Sequence, residues 1–158
     1  MTAHWPIAMA IVVLTVAAME LVAALVHRFI MHGPGWAWHR SHHEPGPGWL
    51  ERNDLYTVLF AGISIGVFVA GARWPALWWV GVGMVVYGLL YAFVHDGLVH
   101  RRFPFVRAPR NGYAKRLVQA HRLHHAVRQR QGAVSFGFLY APPLQRLRAQ
   151  LRAGQEEP

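Results

Sequence analysis

Ten of the eleven histidines fall into two copies of one two-part pattern. The first copy is His27-Arg-Phe-Ile-Met-His32, followed by His39-Arg-Ser-His42-His43. The second is His95-Asp-Gly-Leu-Val-His100, followed by His121-Arg-Leu-His124-His125. His4 alone stands outside and is read as a surface or interface residue. Imidazole is the commonest side-chain ligand for a transition metal, and it binds in its neutral form near physiological pH. Structural and catalytic zinc sites take three or four protein ligands, so ten are too many for one such metal. Two metals at about five ligands each would use the whole set, which makes a dinuclear metalloprotein the expectation.

The spacings say how the ligands are delivered. In His-x-x-His-His the rings stand at i, i+3 and i+4, within about a 100° arc, so one helical face can present all three to a metal. The His-x-x-x-x-His pairs are different, because i and i+5 diverge by about 140° on a straight α-helix. They require a π-bulge, an unwound end, or ligation to different metals, and Gly33 and Gly97 stand where such irregularity is easy. A coordinating histidine usually passes its other N–H to a carboxylate or carbonyl, and Asp96, Glu44 and Asp54 are the carboxylates near enough in sequence. Caps or surface charges would use the same residues. Spacing does not name the metal. Zinc suits imidazole, but two histidine-saturated sites without a hydrolytic base favour iron and dioxygen.

The elements that carry these groups are apolar. Ile7–Val26 contains one charge, Glu20, while Leu55–Ala72 and Ala76–Val94 contain none. Each block is about as long as a bilayer-crossing helix. The reading is an all-α integral membrane bundle of three clear spans, over about 6–31, 55–72 and 76–99, in one domain covering 1–158. Met1–Pro6 carries no Lys or Arg, so the first block reads as a retained span rather than a cleaved signal. Twelve of the sixteen basic residues follow His100, which places the tail in the cytoplasm by the positive-inside rule. With three spans the N-terminus is then outside, and all four histidine groups meet as a di-metal cap on the cytoplasmic face. Trp5, Trp74, Trp78 and Trp79 would line the outer interface, and Trp36, Trp38 and Trp49 the inner one.

Beyond the spans, Gly33–Asn53 reads as loop with a short helix at Trp36–His43, and a cytoplasmic helical part runs through 113–152. Tyr113–Arg130 is expected to be one helix. Pro143–Arg152 is amphipathic, lying on the membrane surface or packed on the domain. Gly62-x-x-x-Gly66 reads as a packing motif, and Glu20 as either a functional intramembrane acid or a hydrogen bond within the bundle. The chain has no cysteine, which excludes disulfides, thiolate-bound haem and iron–sulfur clusters carried on it, and no dinucleotide fingerprint is visible. Electrons for any redox chemistry must therefore come from a partner. The net charge of +9 is concentrated in the tail and is not read as a nucleic-acid surface.

These motifs carry a resemblance. Met31-His-Gly33, Trp38-His-Arg-Ser-His-His-Glu-Pro45, Asn53-Asp-Leu-Tyr56, Tyr87-Gly-Leu-Leu-Tyr91, His95-Asp-Gly-Leu-Val-His100, Ala120-His-Arg-Leu-His-His-Ala126 and Ser135-Phe-Gly-Phe-Leu-Tyr-Ala-Pro-Pro143 closely resemble the bacterial β-carotene hydroxylases. These belong to the membrane fatty-acid hydroxylase and sterol desaturase-like superfamily, whose members often have four spans. The resemblance covers about residues 10–150. It implies two non-haem irons held by His27, His32, His39, His42, His43, His95, His100, His121, His124 and His125. It also implies O2 as co-substrate and electrons from a ferredoxin with its reductase. The implied reaction converts β-carotene through β-cryptoxanthin to zeaxanthin in the bacterial cytoplasmic membrane, with canthaxanthin as a related substrate. Phe60, Phe68, Tyr87, Tyr91 and Phe93 would line a lateral route for the ring. A fatty-acid or sterol-type hydroxylase or desaturase is the sibling alternative. A membrane metal-binding or transport protein is the alternative of another class; it would want polar residues at midplane, where the spans offer only Glu20 and a few hydroxyls.

Overall fold

In the computed structural model, residues 5–44, 46 and 48–156 are described, and His4 lies outside them. Every regular element among the described residues is helical: α1 (Trp5–Leu25), α2 (Trp36–His43), α3 (Asp54–Gly71), α4 (Pro75–Tyr91), α5 (Gly112–His125) and α6 (Leu144–Glu156). Two π-helical segments, Val26–Met31 and Ala92–Val99, continue α1 and α4 without a break. The three helices long and apolar enough to cross a membrane are Trp5–Met31, Asp54–Gly71 and Pro75–Val99, of 27, 18 and 25 residues. At 1.5 Å per residue the first is roughly 40 Å long against about 30 Å of hydrocarbon, so it overruns the bilayer. Leu14, Ile65, Val69 and Leu89 point outward from these helices, as lipid-facing side chains do.

α4 lies between α1 and α3 and packs on both. Glycines permit these approaches. A Cβ on Gly83 would come within 2.6 Å of Thr15 Cβ, and one on Gly71 within 2.8 Å of the Trp78 backbone nitrogen. The expected packing pair, Gly62 and Gly66, instead faces outward with nothing near either position. The buried face of α3 is Tyr56, Ser64 and Gly71, which turns Gly62 and Gly66 away from α4. Pro75 opens α4, where its missing N–H costs nothing, and closes the short turn from α3.

At the far end of the spans, α2, α5 and the 126–143 segment form a cap. α5 stops at His125 rather than continuing to Arg130, because the backbone beyond it is used for side-chain acceptors. α6 packs on the cap: Leu147 is 1 % exposed and joins a core with Val94, Leu98, Leu117 and Val118. That contact, with Leu144 and Leu151 beside it, occupies the apolar face that a membrane surface would otherwise have covered.

Candidate metal centre

The π-helical segments deliver the paired histidines. There the backbone ladder shifts to i→i+5: the His32 N–H donates to the His27 carbonyl at 3.0 Å, and the His100 N–H to the His95 carbonyl at 2.9 Å. Residue i+5 then stands over residue i, which removes the divergence a straight α-helix would impose. Each pair therefore points the same way. Gly33 closes the first segment; a Cβ there would run into the Phe29 carbonyl oxygen.

All ten histidines meet at one end of the bundle, in two adjacent clusters. In the first, the ligating nitrogens of His27, His32, His39, His43 and His124 lie within 4.8 Å of one another, and all five residues are buried. In the second, those of His42, His100, His121 and His125 do the same, and His95 Nε2 reaches His42 Nε2 at 3.0 Å. The clusters touch where the His43 ring stacks on His125, with centroids 4.5 Å apart.

The triplets do not each serve one site, as their shared face suggested; they split two and one. His39 and His43 join the first cluster while His42 turns to the second, and His121 and His125 join the second while His124 turns to the first. The reason is angular. Positions i and i+4 lie about 40° apart, whereas i+3 lies about 100° from i+4. The result is a pseudo-twofold exchange that relates each member of one sequence copy to its counterpart in the other.

The ring protons can be assigned. Seven Nδ1 atoms lie 2.7 to 2.9 Å from oxygens: His27 from Phe136 O, His32 from Arg130 O, His39 from Asn53 Oδ1, His42 from Glu51 Oε2, His43 from Val127 O, His95 from Asp96 Oδ1, and His124 from Val134 O. These oxygens accept, so each Nδ1 donates and the Nε2 of the neutral ring is a bare lone pair. Yet Nε2 faces Nε2 at 3.1 Å between His27 and His39, 3.2 Å between His32 and His124, 3.2 Å between His39 and His43, and 3.0 Å between His42 and His95. Two lone pairs at that separation repel unless a cation lies between them. Both clusters can hold a metal.

Burial keeps the rings neutral. For His39 it outweighs the bond to Asn53 and brings the imidazole to about 3. Burial, reinforced by His32, brings His43 to about 4, and burial with the nearby Arg102 charge brings His100 to about 4. His42, His121 and His124 are held well below the ordinary value, first by burial and then by neighbouring imidazoles. At pH 7 these rings are ready to bind a metal without first losing a proton.

Of the three carboxylates expected beside the histidines, Asp96 accepts from His95. Asp54 instead pairs with Arg102 at 2.8 Å and receives the Glu51 N–H. Glu44 pairs with Arg40 on the surface at 3.3 Å, because α2 ends at His43 and the next residue points away from the cap. Sequence reasoning gave no role to Glu51 or Asn53, which hold His42 and His39, nor to Arg102, which bonds Glu51 at 3.1 Å. It could not name the four backbone carbonyls, which carry no residue signature. Ser135, between the carbonyls that take His124 and His27, has φ of 60°, a conformation a non-glycine residue adopts only when its surroundings impose it.

Glu20 takes the second of its two readings. Its Oε1 accepts the N–H groups of Phe138, Leu139 and Tyr140 at 2.9, 3.0 and 2.9 Å, and its Oε2 accepts the Tyr87 hydroxyl at 2.9 Å. The carboxylate thus pins the 137–140 loop to the bundle. That loop follows directly on Phe136, whose carbonyl orients His27.

Below the clusters an apolar cavity of about 380 Å³ opens between the spans. Phe60, Phe68, Tyr87 and Tyr91 line it, whereas Phe93 points outward, 52 % exposed. Two of its lining residues meet the histidines. Tyr91 stacks on His95 of the second cluster at 4.6 Å, and Phe138 on His27 of the first at 5.2 Å. The cavity therefore ends under both clusters at once.

A profile of the fatty acid hydroxylase family matches residues 12–143, a window that takes in every histidine of both clusters. The chain belongs to the fatty acid hydroxylase family. Within it, the chain is 61 % identical over 144 residues to a β-carotene hydroxylase of Pantoea ananas, covering 90 % of this chain and 82 % of that protein. It is 59 % identical to a β-carotene hydroxylase of Paracoccus sp. (strain PC1), covering 90 % and 89 %. A β-carotene hydroxylase of Pseudescherichia vulneris is 58 % identical over 150 residues, covering 94 % and 85 %. No solved structure matches the chain.

Proposed function

We propose that this chain is a carotenoid ring hydroxylase of the cytoplasmic membrane, converting β-carotene through β-cryptoxanthin to zeaxanthin. The observation that carries the reading is the apolar cavity running between the spans to a roof, Tyr91 and Phe138, that lies against both histidine clusters. The identity to curated β-carotene hydroxylases over nine-tenths of the chain supports the substrate. Each turnover takes one ring C–H, O2, two electrons and two protons to a ring C–OH and water. Iron bound in the two clusters would supply the activation of O2.

The chain's own residues account for the rest. The ten neutral imidazoles bind the metals, and the Nδ1 acceptors fix which nitrogen faces each one. Tyr91 and Phe138 close the cavity roof, keep water from the hydrocarbon, and seat the ring against the clusters. A cavity of about 380 Å³ suits one end group, near the lower bound of ordinary ligand pockets at roughly 300 Å³. The polyene then extends along the outward apolar faces of the spans, where a bilayer hydrocarbon already lives. After the first hydroxylation the substrate must turn end for end to present its second ring.

Electrons come from a ferredoxin-type donor with its reductase, because the chain has no cysteine with which to carry a cluster of its own. An open groove lined by Trp36, Arg40, Arg52 and Arg130 supports donor approach on the cap side. Trp36 lies 5.2 Å from His32 and 5.3 Å from His43, between that groove and the first cluster. The concentration of basic residues after His100 supports a cytoplasmic cap.

The test is pigment chromatography of cells that accumulate β-carotene, with and without this chain. Appearance of β-cryptoxanthin and zeaxanthin is expected. Unchanged β-carotene, with metal-loaded protein in the membrane, would redirect the reading to another lipid.

A further inference from the structure

The pseudo-twofold arrangement gives each histidine of one cluster a counterpart in the other, and so invites a comparison of what holds them. His27 corresponds to His95, and His124 to His42. In the first cluster all five Nδ1 donors meet neutral oxygens: the carbonyls of Phe136, Arg130, Val127 and Val134, and the Asn53 amide. In the second, the counterparts meet carboxylates, with His95 on Asp96 at 2.9 Å and His42 on Glu51 at 2.8 Å.

Both carboxylates belong to one half-buried network. Arg102 bonds Glu51 at 3.1 Å and Asp54 at 2.8 Å, and its Nη1 lies 3.8 Å from Asp96 Oδ1. The Arg102 backbone N–H donates to the Asp96 carbonyl at 2.8 Å, which fixes the two residues to each other. Three acidic side chains and one guanidinium thus sit against one cluster, and among the described residues the other has no carboxylate on its rings. A carboxylate on Nδ1–H draws that proton toward itself and makes Nε2 a stronger donor to a metal, whereas a carbonyl or amide does so less.

We propose that the two metal sites are inequivalent, with the His42–His95–His100–His121–His125 site the electron-rich, tighter-binding one and Arg102 the residue that positions the carboxylates making it so. This rests on the two-metal reading above. The electron-rich site binds a divalent cation more strongly and favours the higher oxidation state of iron. The first site, facing Trp36 and the donor groove, is the more readily reduced. The asymmetry gives an order to the two electrons that each hydroxylation consumes.

The experiment uses the full chain in detergent, stripped of metal and titrated with cobalt(II), whose visible bands report imidazole coordination. The unsubstituted protein is expected to take two cobalt ions in two affinity classes. Glu51→Gln and Asp96→Asn should each weaken the tighter class by about 10- to 100-fold and leave the other in place. Asn53→Asp gives the first cluster a carboxylate of its own, so the two classes should draw together. Mössbauer spectra of the unsubstituted protein loaded with iron-57 should contain two distinct doublets, a readout that needs no variant to fold. Two ions bound at one common affinity, with one doublet, would overturn the inequivalence while leaving the two-metal reading standing. Equal weakening of both classes by Glu51→Gln would overturn it too. Fewer than two cobalt ions per chain would overturn the two-metal reading and this inference together.

Discussion

Glu20 stands seven residues before His27 and touches no metal ligand, yet the bonds it makes tie it to the first cluster, and that dependence can be worked through. Its carboxylate receives three backbone N–H groups and the Tyr87 hydroxyl. In Glu20→Ala all four lose their acceptor. Phe138 is buried and Leu139 half-buried, so two of the N–H groups stay away from water; the Tyr140 N–H belongs to an exposed residue and can be hydrated. An unsatisfied buried donor costs about 1–3 kcal/mol, so these two and the hydroxyl of buried Tyr87 together cost roughly 3–9 kcal/mol, against a total stability of about 5–15 kcal/mol for a typical domain. Glu20→Gln keeps an acceptor for the loop and lets the Tyr87 oxygen accept from the new amide. It loses only the charge assistance, about 1–2 kcal/mol. The loop is continuous with Phe136, so its release should also loosen His27 and weaken metal binding in the first cluster. Thermal unfolding and metal content of the purified protein read both effects. The ordered series expected is unsubstituted protein, then Glu20→Gln, then Glu20→Ala, falling in both measurements. Glu20→Ala with unchanged unfolding temperature and full metal content would refute the reasoning.

Other outcomes follow from the same contacts. Gly83→Ala should destabilise the bundle by about 1–3 kcal/mol, because its Cβ meets Thr15 at 2.6 Å, whereas Gly66→Ala should be neutral or slightly stabilising in denaturant unfolding. Alanine at His39 or His124 should remove metal from the first cluster and abolish hydroxylation with membrane insertion intact; full activity in either would count against ten ligands. Metal-free protein should lose stability as pH falls below the ordinary histidine value of about 6.5, since the unfolded chain then binds protons that the folded one refuses. The loss should continue down to about 4 for His43 and His100 and to about 3 for His39, as read by unfolding at stepped pH. Phe138→Ala opens the cavity roof, and should lower ring selectivity and turnover while leaving metal content unchanged.

Much of this was legible in the sequence for a physical reason. Membrane spans announce themselves by composition, and metal ligands by residue type and spacing, so three helices and ten histidines could be read directly. The i, i+5 spacing left a π-bulge, an unwound end or ligation to different metals, and the chain takes the first at Val26–Met31 and Ala92–Val99. What spacing could not give was the division of the ligands between clusters. A triplet on one helix face is compatible with one metal or two, and only the docking of α2 on Val26–Met31 and of α5 on Ala92–Val99 sends His42 and His124 across. The partners of the ring Nδ1 atoms were less legible still. Most are backbone carbonyls in an irregular segment, where any residue could supply the oxygen, and Glu51 acts on His42 only because the loop folds back. Gly62 and Gly66 misled for a related reason: a small-residue pair marks a face that can pack, and the neighbouring helix decides which face does.

The most direct test of ring hydroxylation at these clusters is to supply iron-loaded protein with β-carotene, a reduced ferredoxin and 18O-labelled O2, and to weigh the products. Zeaxanthin carrying one 18O in each ring hydroxyl, formed only with iron and donor present, is the expected result. Hydroxyls bearing oxygen from water, or no hydroxylated carotenoid from protein holding two irons per chain, would contradict it.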